Sequence, residues 1–308
     1  MMMKKFLLKL FLFSLVLLGL LLLGILLPCT PRSSESLLFA QIEKDKLLRN
    51  TPGKRIILVG GSNLSFGINS KMLSDQLKMP VINAGVHAKI GLQYMMDHSL
   101  PFIHAGDVVV LVPEYNQFFG NFAYGGEELL RTLLDVDASQ LGLLNFQQIK
   151  NLLPLLPEYA FSKFRQREYF YHFDKDNVYL KTAFNAYGDV YKHWTQVPEK
   201  VLPDKVLEGA FNQQIIEAMK DYQQKIEALG GRLLLGFPSY QASSFDVNRK
   251  GIAEVEKQCQ AGGFQFLGNA IKFRMADTLF FNTTYHLNKQ GVELRTQNLA
   301  AEIKQSLK

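Results

Sequence analysis

The chain has 308 residues, of which 47% are hydrophobic and 20% charged, which is enough for one large domain or two small ones. This balance excludes a disordered or low-complexity protein. Lys and Arg outnumber Asp and Glu by 34 to 28, but no basic cluster with interleaved aromatic side chains accompanies them. We therefore expect no nucleic-acid partner.

The first element along the chain is predicted to be a membrane anchor. Leu10–Leu27 is an 18-residue run with one Ser, two Gly and no charge, long enough to cross a bilayer as a helix. The basic residues before it carry half of the net charge of +6 and predict that the N-terminal side stays in the cytoplasm. We expect a single-pass protein of the cytoplasmic membrane whose C-terminal domain is extracytoplasmic, periplasmic or at the cell surface. The basic residues are Lys4, Lys5 and Lys9.

Two other interpretations of this segment stay open, a cleaved signal peptide and a lipoprotein signal at Cys29. The apolar run is longer than a signal-peptide core, and Pro28 is unlike the small residue that precedes a lipidated Cys. The second cysteine, Cys259, falls in a helical pattern and is interpreted as a small buried hydrophobic residue. Two cysteines make no metal site, and we expect no cofactor or metal.

Short apolar runs and helical patterns alternate after the anchor, as in βαβ units with a parallel sheet. Residues 29–53 are predicted to form a juxtamembrane tether with a helix at 37–50. The predicted strands are Arg55–Val59, Pro80–Ala84, Asp107–Val112, Arg232–Phe237 and Phe264–Leu267. The predicted helices are 66–78, 90–102, 143–156, 207–229, 247–260 and 291–307.

Residues 115–206 interrupt this alternation and contain no convincing buried strand. A dozen aromatic residues lie between Tyr159 and Trp194. They indicate either a small satellite core or a binding wall for a sugar, an acyl chain or a membrane partner. The predicted organisation is an anchor at 1–28, a tether at 29–53 and one domain at 54–308. Its predicted fold is flavodoxin-like, a three-layer α/β/α arrangement with a parallel sheet of about five strands.

Ligands of an open parallel sheet bind at the carboxyl ends of its strands. The first predicted strand ends in Gly60-Gly61-Ser62-Asn63, a tight turn before a helix, where Ser62 is either an exposed nucleophile or an ordinary helix N-cap. The second strand is followed by a run of small residues that includes Gly85 and Ala88. The third is followed by the polar cluster Glu114-Tyr115-Asn116. His286 precedes the last helix and is a candidate general base for Ser62.

This order of blocks resembles the SGNH/GDSL hydrolase-like superfamily over roughly residues 54–114 and 207–308. The resemblance implies that Ser62 is the nucleophile, that its N–H is an oxyanion donor and that His286 is the base. It also implies a second backbone donor at Gly85 or Ala88. The closing Thr283-Thr284-Tyr285-His286-Leu287-Asn288 is similar to membrane-anchored members of the alginate O-acetylation and teichoic acid D-alanyl transfer systems. Those members act beside a membrane-bound O-acyltransferase, which is therefore an expected partner.

The sequence departs from the family pattern at three positions. Gly61 stands where the family has Asp, and Thr283 stands where it has the Asp three residues before the His. Asn116 is a candidate for the oxyanion Asn, although its context is not the family's G-x-N. Glu114 is a candidate acid or a ligand for a sugar hydroxyl. Without the carboxylate, a Ser62–His286 dyad is the most that the sequence supports.

Two functions follow from these residues. One is an extracytoplasmic acyl hydrolase or O-acyltransferase that acts on envelope polysaccharide or a related ester, with a glycan or acyl ester as substrate. The other is a non-catalytic relative that binds a glycan or docks a membrane acyltransferase. A plain structural envelope protein is disfavoured, because the polar residues gather at one edge of the predicted sheet.

Overall fold

A five-stranded parallel sheet forms the centre of the computed structural model, which describes residues 2–308. The five strands are β1 (Ile56–Gly60), β2 (Val81–Asn83), β3 (Val108–Val112), β4 (Arg232–Gly236) and, after a two-residue β5 (Tyr240–Gln241) outside this sheet, β6 (Phe266–Leu267). The strands lie side by side in the order β2-β1-β3-β4-β6. When only the five strands of this sheet are numbered along the chain, the order is 2-1-3-4-5, which is that of flavodoxin-like folds. This confirms the predicted fold class.

Helices surround the sheet and fill the connections between its strands. Three further short strands follow β6, namely β7 (Arg274–Met275), β8 (Phe280–Thr283) and β9 (His286–Leu287). The α-helices are α1 (Met2–Leu26), α2 (Pro31–Ser34), α3 (Ala40–Asn50), α4 (Ser62–Ser65), α5 (Ser70–Leu77), α6 (Leu92–Ser99), α7 (Glu127–Arg131), α8 (Phe146–Leu152), α9 (Leu156–Ser162), α10 (Gln213–Ala228), α11 (Ala242–Val247), α12 (Arg249–Ala261) and α13 (Lys289–Ser306).

Both faces of the sheet are buried, which explains why its strands read as continuous apolar runs. Ile57 and Val59 of β1 point into a core shared with α6, α10 and α12, whereas Ile56 and Leu58 point into a second core with α5 and α13. Successive side chains of a strand alternate between the faces, so one apolar run supplies both cores. The result is the three-layer α/β/α arrangement.

A buried ion pair joins the starts of β1 and β3. Arg55 Nη2 lies 2.6 Å from Asp107 Oδ2, and both side chains are fully buried. The guanidinium also donates to the carbonyl groups of Leu48 and Phe102. Because the charge and the donors are satisfied together, this pair fixes α3 and the loop after α6 at the amino end of the sheet.

The largest boundary difference concerns the helix predicted at 207–229, which begins at Gln213 as α10. Residues before it are held in extended form, since Leu207 N–H donates to Asn248 Oδ1 and Phe211 forms a β-bridge with Phe119. Asn212 then precedes the helix as its N-cap residue. The apolar spacing continued smoothly across this point, so the pattern alone did not reveal the true start.

The insertion between β3 and β4 contains no strand of the central sheet among the described residues. Part of it forms a satellite core in which Val178, Ala183 and Val190 pack with Phe66 and Phe281. Other apolar side chains of the insertion are exposed. The structure therefore divides the aromatic insertion between a packed part and an exposed part.

Helix α1 is long and apolar enough to cross a membrane, a property that it shares with N-terminal secretion signals. Its last turns pack on α9, and Gly24 is buried so closely against Ala160 that a β-carbon there would overlap the Ala160 backbone. The segment after it, predicted as a tether, is folded. Leu37, Leu38 and Leu48 are buried in the main core.

Candidate active site

Ser62 and Glu114 lie at the point where the strand order of the sheet reverses. Ser62 follows β1 and Glu114 follows β3. These two strands pair in parallel, with Gly60 opposite Val112 at their carboxyl ends. The connections from β1 and β3 run to opposite sides at this point, which leaves a crevice outside their carboxyl ends. This topology explains why the loops after two separated strands meet.

The turn at Ser62 depends on the absence of side chains. A β-carbon on Gly61 would lie 2.8 Å from Ala88 Cα, and one on Gly85 would lie 2.7 Å from the Gly61 carbonyl oxygen. The backbone after β1 is therefore packed directly against the loop after β2. Ser62 opens the short helix α4, where its N–H points out of the helix end.

The hydrogen bonds of this turn distinguish the two candidate backbone donors. Gly85 N–H already donates to Asn83 Oδ1 at 3.0 Å. Among residues 2–308, Ser62 N–H and Ala88 N–H have no acceptor. Of the two alternatives left open by the sequence, Ala88 is thus the one whose N–H is not already engaged.

Glu114 is the acidic group of the site and it contacts the nucleophile candidate. Its Oε1 lies 3.4 Å from Ser62 Oγ, and it accepts the N–H of Asn63 at 3.1 Å. Burial raises the pKa of Glu114 to about 7, against the lowering effect of these hydrogen bonds. The carboxyl group is therefore divided between its neutral and charged forms near neutral pH.

Asn63 is held as a structural residue. Its Nδ2 donates to the Val112 carbonyl at 3.2 Å, and its Oδ1 accepts from Arg295 Nη2 at 3.0 Å. Arg295, on α13, also donates to the Asn63 carbonyl. These contacts clamp α4 between β3 and the last helix, so Asn63 fixes the position of Ser62 and its own side chain is already engaged.

His286 is oriented by Asn282, a residue that the sequence analysis did not single out. Asn282 Nδ2 donates to Tyr179 Oη at 2.8 Å, so its Oδ1 faces His286 Nδ1 at 3.0 Å and accepts. With Asn282 Oδ1 as the acceptor, the ring proton is assigned to Nδ1, which leaves Nε2 as the nitrogen that can accept a proton. An amide in this role occurs in the Cys-His-Asn arrangement of papain-like proteases.

Thr283 supports the histidine in a different way. Its Oγ1 accepts the backbone N–H of His286 at 3.1 Å and of Tyr285 at 3.3 Å. It closes the turn between β8 and β9, which pair antiparallel with Thr283 opposite His286. Thr283 therefore sets the position of the His286 backbone and does not contact the ring nitrogens through a hydrogen bond.

The environment keeps the His286 ring neutral. Burial lowers the pKa of His286 well below its ordinary value, and His87 and His193 lower it further. The ring stacks on Phe66 with centroids 4.0 Å apart. The unprotonated ring can accept a proton, but the same burial weakens it as a base, so base catalysis at His286 requires a developing negative charge beside the ring.

Ser62 and His286 belong to neighbouring elements but are not hydrogen-bonded to each other. Helix α4 lies beside β9, and the N–H of Phe66, on which His286 stacks, donates to the Ser62 carbonyl. The Ser62 hydroxyl is directed to Glu114 instead. Both residues are nearly enclosed, at 7% and 5% exposure. The Ser62–His286 dyad therefore stays a prediction.

The two residues after Glu114 are placed differently from it. Tyr115 is buried in the main core, where its N–H donates to Tyr285 Oη and its ring meets Tyr240 edge-on. Asn116 is half-buried and its Oδ1 has no hydrogen-bond partner among the described residues. Glu114 is thus the only one of the three that is hydrogen-bonded to Ser62.

Four site residues were missed by the sequence analysis, and they differ in how detectable they were. Asn282 stands directly before the block Thr283–Asn288, in which the family spacing drew attention to Thr283 instead. His87 stood inside the small-residue run after β2. Arg295 and His193 carried no local signal, since only the packing of α13 and of the insertion brings them to the site. No group of His, Cys, Asp or Glu side chains in residues 2–308 is arranged to hold a metal ion.

No protein-family model matches the chain, and no curated protein is significantly similar to it in sequence. Among solved structures, the chain is similar to the X-ray structure of protein YxiM from Bacillus subtilis, with 13% identity and a TM-score of 0.37. The match covers 82% of this chain and 57% of that chain. The chain thus spans a little over half the length of that structure, and at this TM-score the likeness is too distant to indicate a function.

Proposed function

We propose that this chain is a membrane-anchored acyl hydrolase or O-acyltransferase that uses Ser62 as nucleophile and His286 as general base. The observation that carries the proposal is the His286–Asn282 pair beside a serine turn with two unengaged N–H groups. A base in the correct tautomer, a hydroxyl at the carboxyl edge of the sheet and two donors for an oxyanion are the parts that acyl transfer requires.

The proposed reaction begins when Ser62 Oγ attacks the carbonyl carbon of an ester. His286 Nε2 takes the hydroxyl proton, and the N–H groups of Ser62 and Ala88 stabilise the tetrahedral oxyanion. The ester C–O bond then breaks, His286 returns the proton to the leaving alcohol, and acyl-Ser62 remains. Water or an acceptor hydroxyl attacks this intermediate with His286 again as base. Before the first step, the Ser62 side chain must rotate from Glu114 toward His286.

Glu114 supports this reaction in its neutral form. A carboxylate 3.4 Å from Ser62 Oγ would repel the developing oxyanion, whereas a carboxylic acid can donate a hydrogen bond. The pKa of about 7 makes the neutral form available at neutral pH. Below its pKa of about 7, Glu114 thus provides a buried neutral acid in the same site as the buried neutral imidazole of His286.

The proposed location follows from α1, which would hold the domain at the outer side of the cytoplasmic membrane. An envelope polysaccharide ester is then the class of substrate within reach. A membrane-bound O-acyltransferase is the expected partner, as the protein that supplies the acyl group. This part of the proposal is tested by release of acetate from O-acetylated envelope polysaccharide, compared with a soluble aryl acetate. Hydrolysis of the aryl acetate without release of acetate from the polysaccharide would contradict the assignment of a polysaccharide substrate.

The nucleophile is tested with a fluorophosphonate probe on the full-length protein in detergent. We expect covalent labelling that Ser62→Ala abolishes and that Ser74→Ala, a partly buried serine on α5, leaves unchanged. His286→Ala should slow labelling by several powers of ten, since it removes the base. Labelling that persists in Ser62→Ala would assign the nucleophile elsewhere.

A non-catalytic role is the second candidate, and the engagement of the Ser62 hydroxyl by Glu114 in a nearly closed site favours it. In this case the domain binds a glycan or docks a membrane acyltransferase. The two functions separate in cells. If Ser62→Ala and His286→Ala preserve the cellular phenotype while substitutions of exposed aromatic residues between Tyr159 and Trp194 destroy it, the binding function is correct.

A further inference from the structure

An exposed apolar stripe runs along the helical segment from α8 to α9. Its side chains recur every three or four residues, which places them on one face of a helix. Phe146 is 75% exposed and Leu153 61% exposed, which is unusual for large apolar side chains on a soluble surface. We call this set the α8–α9 stripe; it consists of Phe146, Ile149, Leu153, Pro157, Phe161 and Phe164.

The other face of the same segment is buried in the domain. Gln148, Leu152, Tyr159 and Lys163 point inward. Core packing therefore accounts for one face of the segment only, and the α8–α9 stripe has no partner within residues 2–308. A helix that is apolar on two faces needs a second apolar environment.

Three contacts hold the end of α1 and the residues after it against α9 and the loop that follows α9. Gly24 packs on Ala160, as described above. Lys163 Nζ donates to the Pro28 carbonyl at 3.3 Å. Thr30 Oγ1 then donates to Glu168 at 3.1 Å. The chain thus leaves α1 directly beside the α8–α9 stripe.

Exposed charges of both signs lie next to the stripe, with an excess of basic ones. Lys150, Arg165 and Arg167 are exposed, and so are two acids, Glu127 and Glu158. Arg165 lies 3.8 Å from Glu158, whereas Lys150 forms no ion pair within residues 2–308. Basic side chains beside exposed aromatic and aliphatic ones are typical of helices that lie in the interface of an anionic bilayer, where long side chains reach the headgroups.

We propose that the α8–α9 stripe lies in the lipid interface of the same leaflet from which α1 emerges. This inference rests on the membrane placement of α1 in the proposed function and not on its chemistry. Since Pro28 follows the apolar run and accepts a hydrogen bond from Lys163, the residue directly after α9, the stripe is held at the level where acyl chains meet headgroups. Its apolar side chains enter the acyl region, and its basic neighbours pair with lipid phosphates.

The test uses the full-length protein in phosphatidylcholine and phosphatidylglycerol vesicles whose acyl chains carry bromine near the headgroup or near the chain end. Trp194→Phe removes the only native tryptophan, and single tryptophans replace Phe146, Leu153 or Phe161. A tryptophan at Leu17 reports insertion of α1, and one at Ile271, an exposed apolar residue on another element, is the matched control.

We expect the three stripe tryptophans to lose most of their emission to the shallow bromines, Leu17→Trp to the deep ones and Ile271→Trp to neither. Quenching at Leu17→Trp without quenching at the stripe would overturn the proposal and indicate that a protein covers the stripe. No quenching at Leu17→Trp would refute the anchor and the interface together. Equal quenching at Ile271→Trp would also overturn it, since the contact would not be specific to the stripe.

Photoactivatable phospholipids provide a second measurement that needs no variant. With the wild-type chain in the same vesicles, we expect lipid adducts on α1 and on peptides from residues 146–171. Adducts confined to α1 would contradict the interface. Neither measurement depends on esterase activity, so failure here and failure of the proposed chemistry are distinguishable.

Discussion

Replacing Glu114 with Gln should change stability in a pH-dependent way. Gln keeps the shape of the side chain and cannot ionise. Glu114 is 3% exposed, and burial raises its pKa from an ordinary 4.5 to about 7. That rise corresponds to about 3 kcal/mol of extra free energy needed to ionise the group in the folded state.

The sign follows from proton binding. Between pH 4.5 and about 7 the folded state holds a proton on Glu114 that the unfolded state has released. The contribution of this group is therefore complete below pH 4.5 and is lost as the pH rises to about 7. The Gln variant lacks this loss, so its unfolding free energy relative to wild type should rise by about 3 kcal/mol from acidic to mildly alkaline pH.

The assay is denaturant unfolding of the full-length protein in detergent micelles at several pH values, with the difference between variant and wild type plotted against pH. Other titrating groups cancel in that difference. Glu217→Gln, an exposed glutamate on α10, is the matched control and should show no pH-dependent difference. A flat difference for Glu114→Gln would refute the raised pKa.

The same variant tests the chemical role of Glu114. If the neutral acid is the working form, Glu114→Gln keeps fluorophosphonate labelling and removes the decline that wild type should show above pH 7. If the carboxylate deprotonates Ser62, labelling rises through pH 7 in wild type and is absent in Glu114→Gln at every pH. The second result would replace His286 by Glu114 as the base.

Three further predictions concern orientation, stability and close packing. Asn282→Ala leaves His286 Nδ1 without its acceptor and should slow labelling about 10- to 100-fold, as losses of orienting partners do, while Asn282→Asp restores the rate and moves the acidic limb of the pH profile upward. Asp107→Asn leaves the Arg55 charge buried without a partner and should cost about 3–5 kcal/mol in denaturant unfolding. Gly61→Ala forces a β-carbon against the loop after β2 and should cost about 1–3 kcal/mol and slow labelling, with Ser62 intact.

The fold was predictable from the sequence because its signals are long. The strand β3 is a run of five apolar β-formers, and the helices around the sheet keep one apolar face over several turns. The pairs β5–β7 and β8–β9 were not predicted, because half of the residues in each of these short strands are polar and no apolar run marks them. Their pairing is set by tertiary contacts.

The candidate site was predictable where topology alone determines it. Ser62 and Glu114 follow strands that any 2-1-3-4-5 sheet brings together, so the rule for carboxyl ends was sufficient. That Gly85 N–H is engaged and Ala88 N–H is not was unpredictable, since it depends on the hydrogen bond that Gly85 N–H donates to the Asn83 side chain. The role of Asn282 was missed because the tight turn between β8 and β9 uses Thr283 for the backbone and leaves the ring to its neighbour.

One insertion determines both the surroundings of the histidine and the attachment of α1. Tyr179 and His193 flank Phe66 and His286, while Ala160 and Lys163 hold the end of α1. If residues 29–53 were a flexible linker, the distance between the domain and the bilayer would vary widely. Here residues 29–53 are folded onto the domain instead, through Thr30, Lys44 and Leu48 among others. If α1 spans the membrane as proposed, packing and not a flexible linker therefore sets the height of the candidate site above the bilayer.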